Sequence, residues 1–175
     1  MTEEVLHIIQ HYRHDLMNRL QLVSGYLSMG KVEKAEDKLN EAIAYYEEER
    51  KLMQLKAPSL MLWILEFEQY YRSYSMSYFI EATSTTYNHP IDDQWIVSKC
   101  NQIMHVLQNH LYSDSMYEVE IRIIDNIKKD QWNIIFGVQG NIPNMSVDVW
   151  QSNLGNIQIE RFNDRLQFVF SQTRE

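Results

Sequence analysis

Apolar residues recur near the N-terminus in steps of three and four: Leu6, Ile9, Leu16, Leu20, Val23 and Leu27, with Arg13 filling one slot. That spacing predicts a helix from about Thr2 to Met29 with a heptad-like seam. Thr2 is placed to cap it, Glu3 and Glu4 suit its positive end, and Gly30 suits its stop. A second helix is predicted over Lys31 to Leu55, striped by Val32, Ala35, Leu39, Ala42, Ile43, Tyr46 and Met53. Its other faces carry Glu33, Glu36, Asp37, Glu41, Glu47, Glu48 and Glu49, a run that reads most simply as a solvated face. Two long helices joined around a glycine form an antiparallel hairpin.

The hairpin has more apolar surface than one partner helix can cover, because the first helix also carries Val5, Ile8, Tyr12, Met17 and Leu22. A second hairpin from a symmetric dimer would complete a four-helix bundle. The other way to cover it is with the rest of the same chain.

The pattern changes at "KAPS", Lys56 to Ser59, where Pro58 is placed to open a third helix running to about Tyr74. Met76 to Ala82 alternate as a strand does, and Asp92 to Tyr112 read as a helix with Ile96, Cys100, Ile103, Leu107 and Leu111 on one face. Tyr117 to Ile124 and Trp132 to Val138 read as strands, and 157–162 with 166–170 as a hairpin about "NDR". The fold class expected is therefore α+β, with a helical hairpin over residues 1–56 and an α/β domain over 57–175.

Composition narrows the function. A net charge of −8 argues against a nucleic-acid binder and against a basic membrane-surface protein. A single cysteine, Cys100, cannot form an internal disulfide and suits a reducing cytoplasm. The N-terminal stretch lacks the pattern of a signal peptide. No apolar stretch reaches the length of a membrane span, about 20 residues. The expectation is a cytoplasmic protein with no membrane and no nucleic-acid partner.

His7, His11 and His14, followed by Asn18 and Gln21, form a polar row beside the apolar seam. His14 follows the seam position of Arg13 by about 100° of helix rotation, so it points outward. A neutral outward imidazole is a nucleophile near neutral pH, one nitrogen attacking while the other is held by a hydrogen bond. Asp15 is placed to orient the ring, Arg13 to balance phosphoryl charge, and Asn18 to hold a water or an oxygen over the same face. Spacing alone favours a solvated polar face, because surface histidines on helices are common. His7 and His11 have the separation of a zinc-chelating pair, but three ligands along one straight helix are too spread out for one ion.

The stretch "RHDLMNRLQLVSGYLSMGK" resembles the phosphorylated helix of the sporulation initiation phosphotransferase B family, R-H-D-x-M-N-x-L-Q-L-x-x-G. Arg13, His14, Asp15, Met17, Asn18, Leu20, Gln21, Leu22 and Gly25 fit that pattern. The same motif, less closely, marks the dimerisation helix of citrate- and fumarate-type sensor kinases. The resemblance implies a homodimer in which His14 is the phospho-acceptor, supported by Arg13, Asp15 and Asn18. It would take a phosphoryl group from the aspartate of a single-domain response regulator. It would then pass the group to the aspartate of a sporulation transcription-factor regulator. No cofactor is implied in this chain, since Mg²⁺ is expected in the partner regulator. A kinase-like dimer that only binds and sequesters a regulator is the alternative.

A sensor kinase is the obvious rival. "MHVLQNHLYSDSMYEVEIRII" resembles the helix-then-strand around the asparagine box of a kinase ATPase domain, with Asn109 at one asparagine position and His105 at the other. The glycine-rich boxes are missing: "FGVQGNIPNMSVDVW" stands in their place and no G-x-G occurs. Backbone approach to phosphates needs those glycines. The expectation is a degenerate kinase-ATPase-like domain without a nucleotide site, and a phosphotransferase rather than an ATP-dependent kinase. Cys100 and the tryptophans Trp63, Trp95, Trp132 and Trp150 read as core and rim. His89 reads as a loop residue, His110 as a helix-surface one, and Gln139, Gly140 and Asn141 as a turn.

Overall fold

Helix α1 (Thr2–Ser28) and helix α2 (Val32–Gln54) follow the two apolar stripes. Gly30 sits between them at φ +69°, a left-handed conformation that costs a side-chain-bearing residue about 1–2 kcal/mol. It closes a Schellman turn, in which Gly30 N–H donates to Leu27 C=O at 2.9 Å and Lys31 N–H donates to Tyr26 C=O at 2.9 Å. This computed structural model describes residues 2–82, 91–151 and 154–173; the side chains of 2–5, 7, 8 and 11 are outside that set, and with them His7, His11 and the Thr2 cap. His89 also lies outside the described residues.

The chain divides into two units, Met1–Arg50 and Lys51–Glu175. The expected boundary at 56/57 falls at the break after α2, where Lys56 takes φ 53° and Pro58 disfavours a helical Ala57. The last turn of α2 nonetheless belongs with the second unit, because Leu52 and Leu55 are buried in that unit's core cluster.

In the second unit, α3 (Pro58–Tyr70) opens on Pro58 as expected and stops short of Tyr74, the first residue of strand β1 (Tyr74–Glu81). Helix α4 (Asp93–His110) is capped by Asp92, whose side chain accepts from Trp95 N–H at 3.0 Å. Strands β2 (Tyr117–Asn126), β3 (Gln131–Gly140), β4 (Gln158–Phe162) and β5 (Arg165–Thr173) complete a five-stranded sheet in the order β1-β2-β3-β5-β4. Only β1 and β2 run parallel, as a β-α-β crossover through α4 requires; the other pairings are antiparallel. Alternation decides which face is covered. Val119, Ile121 and Ile123 of β2, Ile134 and Phe136 of β3, and Leu166 and Phe168 of β5 are buried in one cluster with Phe67 of α3 and Ile103 of α4.

Three local readings change. Gln139 and Gly140 are the last residues of β3, paired with β2 and β5, rather than a turn. A short helix α5 (Val147–Gln151) lies in the stretch that replaces the glycine boxes and buries Trp150. His110 is half-buried, its Nδ1 2.8 Å from Val106 C=O and its ring 5.3 Å from that of Trp150. Cys100 is fully buried, and burial pushes its thiol well above the ordinary range, as befits a core residue.

Candidate functional site

Helix α1 has two faces of different kind. Toward α2 it sends Tyr12 and Arg19: Tyr12 O–H donates to Glu49 Oε2 at 3.2 Å, and the Arg19 guanidinium lies 4.0 Å above the Tyr45 ring. Tyr12 also meets Tyr46 edge-on at 6.1 Å. Away from α2, about 160° round the helix from Tyr12, stands His14. Its side chain is 69% exposed, which settles its orientation: it is not a core histidine.

Two neighbours address the same ring nitrogen. His14 Nδ1 is 3.4 Å from Asp15 Oδ1, and Asn18 Nδ2 is 3.2 Å from His14 Nδ1. With the proton on Nδ1, that N–H donates to the carboxylate and Nε2 keeps its lone pair toward solvent. The two ends of the Asn18 amide are nearly isosteric, so its position suits either tautomer. Asp15 and Asn18 are thus brought together with His14. Arg13 is exposed on the adjoining face, about 100° away, and does not bond to the ring.

Beyond His14 the face continues through Asn18, Gln21 and Gly25. Gly25 has ordinary helical backbone, and a Cβ placed on it meets nothing within 4 Å. Glycine in a helix interior costs about 1 kcal/mol relative to alanine.

Glu49 is the residue the sequence hid. It belongs to a charge run that reads as solvated, yet it is only 2% exposed and accepts the Tyr12 hydroxyl. Burial raises its carboxyl above the usual range, opposed by the Tyr12 hydrogen bond. Burial and the Glu49 charge together push the Tyr12 hydroxyl up to about 12. A signal was available in the spacing: Glu49 lies seven residues after Ala42 and fourteen after Ala35, both buried, so it falls on the apolar stripe of α2, while its partner Tyr12 is 37 residues away.

On α4 a second asparagine–histidine pair is spaced by four, with Asn109 Nδ2 3.2 Å from His105 Nε2. No group of three or more metal-ligating side chains comes together among the described residues, and no helix among them is long and apolar enough to cross a membrane.

Comparison with known proteins bears out the resemblance carried by α1. Over 164 residues the chain is 24% identical to sporulation initiation phosphotransferase B of Bacillus subtilis (strain 168), covering 93% of this chain and 84% of that protein. Among solved structures it is similar to histidine kinase ThkA in complex with response regulator protein TrrA, at 10% identity and a TM-score of 0.42. That match covers 97% of this chain, which spans only 61% of the solved chain's length. It is also similar to the Acinetobacter baumannii histidine kinase AdeS, at 12% identity and a TM-score of 0.43, covering 91% of this chain and 97% of that one. The family model of the sensor kinase SpoOB-type, alpha-helical domain matches residues 1–55, the stretch that holds the helical hairpin and its outward His14.

Proposed function

We propose that the protein is a histidine phosphotransferase of a sporulation phosphorelay. The observation that carries the reading is His14 itself: an exposed imidazole with Nδ1 held beside Asp15 and Asn18 and Nε2 left open. Similarity to a named phosphotransferase along most of the chain supports the class of reaction.

In the forward step the Nε2 lone pair attacks the phosphorus of an aspartyl phosphate on a single-domain response regulator. An N–P bond forms, the P–O bond to the aspartyl carboxylate breaks, and the carboxylate leaves with its electron pair. The ring then bears positive charge, its Nδ1–H shared with the Asp15 carboxylate. In the return step a carboxylate of the second regulator, the sporulation transcription factor, forms the new O–P bond as the N–P bond breaks. Both bonds are energy-rich, so the protein's task is positioning and charge balance, with Arg13 exposed beside the incoming phosphoryl group. Mg²⁺ sits in the regulator's acidic pocket, because α1 offers no cage of oxygen ligands.

The proposed assembly is a homodimer. The apolar positions left exposed on the hairpin, with a groove of about 410 Å³ lined by Leu16, Leu20, Leu39 and Ile43, suit a second hairpin closing a four-helix bundle. The second unit acts as an ATPase-like domain without a nucleotide site, so no ATP binds.

Labelled phosphate tests this. A regulator carrying aspartyl phosphate, mixed with the protein without ATP, should label His14 in an acid-labile, alkali-stable bond. His14→Ala should take no label and keep its assembly. Binding of the regulator without labelling would favour the sequestering reading, and a His14→Ala protein that relays phosphate at the wild-type rate would remove the mechanism.

A further inference from the structure

We infer that Tyr12 and Glu49 are positioning residues for phosphoryl transfer: their hydrogen bond fixes the rotation of α1 about its own axis, and with it the direction in which His14 faces a partner protein. This rests on the phosphotransferase reading. The starting observation is a carboxylate out of place. On α2 the buried row is Ala35, Ala42 and Glu49, each seven residues after the last. Where the first two positions hold a methyl group, the third holds the single charged side chain that is buried among the described residues. An apolar residue there would pack without the cost of taking a charge out of water. The chain keeps Glu49 and answers it from α1, where the Tyr12 hydroxyl donates to Oε2 at 3.2 Å.

What that bond supplies is direction. Apolar contacts hold two helices together but discriminate little between neighbouring rotations, and Leu20, Leu39 and Ile43 are only half-buried. A buried hydrogen bond has a narrow range of good geometry, and fixing register is the best-attested use of buried polar groups between helices. A second inward contact lies seven residues on, within about 20° of the same azimuth: the Arg19 guanidinium 4.0 Å above the Tyr45 ring. His14, Asp15 and Asn18 all fall between these two contacts. Because the three sit on one helix, rotating α1 leaves their mutual distances alone and changes only where the imidazole points. A rotation of about 20° carries an atom at the outer radius of a helix, about 5–6 Å from its axis, through about 2 Å. Misplacing reacting groups by about 1 Å costs roughly 100-fold in rate. Donor and acceptor proteins, each presenting a fixed aspartate, are sensitive to such a shift. A small diffusing donor is not.

The experiment compares two phosphodonors on the full chain. One is a single-domain response regulator loaded from acetyl phosphate; the other is phosphoramidate, which delivers its phosphoryl group to a histidine nitrogen with loss of ammonia. Glu49→Ala removes the bond and continues the row with its own residue type, so the fold should persist. It should lower kcat with the regulator at least about tenfold, with KM within roughly twofold of the wild type. Tyr12→Phe, which keeps the ring and loses only the hydroxyl, should do the same. Both should take label from phosphoramidate at the wild-type rate. Glu49→Gln keeps an oxygen acceptor for Tyr12 and should transfer from the regulator as the wild type does. A wild-type kcat in Glu49→Ala or Tyr12→Phe overturns the positioning role, and so does a Glu49→Gln protein as slow as Glu49→Ala. Equal slowing with both donors overturns it too, because the substitutions would then disturb the fold or the ring itself. Failure of the wild-type protein to take label from either donor removes the phosphotransferase reading instead.

Discussion

The two units of this chain solve the burial problem differently. Among the described side chains of Met1–Arg50 only Ala35, Ala42 and Glu49 are buried, while Leu20, Leu22, Leu27, Leu39 and Ile43 stay between 43% and 54% exposed. In Lys51–Glu175 every strand of the sheet's centre presents a finished face, with Ile121, Ile134, Phe136, Leu166 and Phe168 at 0%. A hairpin whose largest side chains are wet is, on the proposed dimer, a half-interface, and the sheet unit is a completed core. The histidine proposed to carry phosphate, His14, is on the unfinished unit. A surface left open is where the proposed transfer between proteins would take place.

The largest effect that tests the contrast is in the sheet. Phe136→Ala removes a fully buried ring 6.3 Å from that of Phe168, and should cost about 3–5 kcal/mol by chemical denaturation. If the second unit tolerates that loss within 1 kcal/mol or so, its core is not the closed one described here.

On the hairpin the comparison sharpens in the opposite sense. Leu20→Glu places a charge where the side chain is already 46% exposed, so the helices of one chain should keep their content. Association should suffer, with the dimer dissociation constant rising at least roughly 100-fold in sedimentation equilibrium, since an uncompensated charge enters an apolar interface. A monodisperse monomer in the unsubstituted protein would remove the half-interface argument altogether.

How much of this was legible in the sequence follows the same division. The seam of α1, the stop at Gly30, the opening of α3 at Pro58 and the alternation of β2, β3 and β5 depend on spacing within one element, and a sequence displays spacing. The outward azimuth of His14 came from its single step past Arg13. Glu49 is misread by its company, not by its spacing: it sits among Glu47 and Glu48 but seven residues after Ala42, on the buried row of α2. What spacing cannot display is the partner that satisfies it, the Tyr12 hydroxyl of the other helix. β3 ran on through Gly140 because ladder pairing with Tyr117 outweighed the turn tendency of "QGN". Helix α5 was missed because five residues hold too little periodicity, and its burial depends on one tryptophan.

Two glutamates, one in each unit, give a comparison that runs through pH. Glu49 has its carboxyl raised above 4.5 by burial, so the folded chain holds that proton longer than the unfolded one. Its contribution is best below about 4.5 and worsens as pH rises through the folded value. Glu120 has its carboxyl lowered below 4.5, chiefly by the Arg122 hydrogen bond, with Arg165 at 3.0 Å adding to it. It stabilises above 4.5, and that is lost as pH falls through the folded value. Melting curves from about pH 3 to about pH 7 should show Glu49→Gln gaining on the wild type as pH rises and Glu120→Gln falling behind. The Glu120 effect should be the weaker, because its partners are partly solvated. Parallel curves for the two variants would mean that the hairpin acid is not buried.

The smallest effect separates two glycines on one helix hairpin. Gly30 is demanded by the fold: its left-handed backbone at φ +69° closes the turn, and alanine there should lower stability by about 1 kcal/mol. Gly25 is helical with open space around it, so alanine should raise stability by roughly 0.5–1 kcal/mol through helix propensity alone. The two sites are five residues apart with no shared partner, so the double substitution should come back close to the wild-type melting temperature. Opposite signs would separate a glycine kept for conformation from one kept against the helix's own preference. A loss of stability at Gly25 would mean that the hairpin itself needs it, and the distinction between the two would collapse.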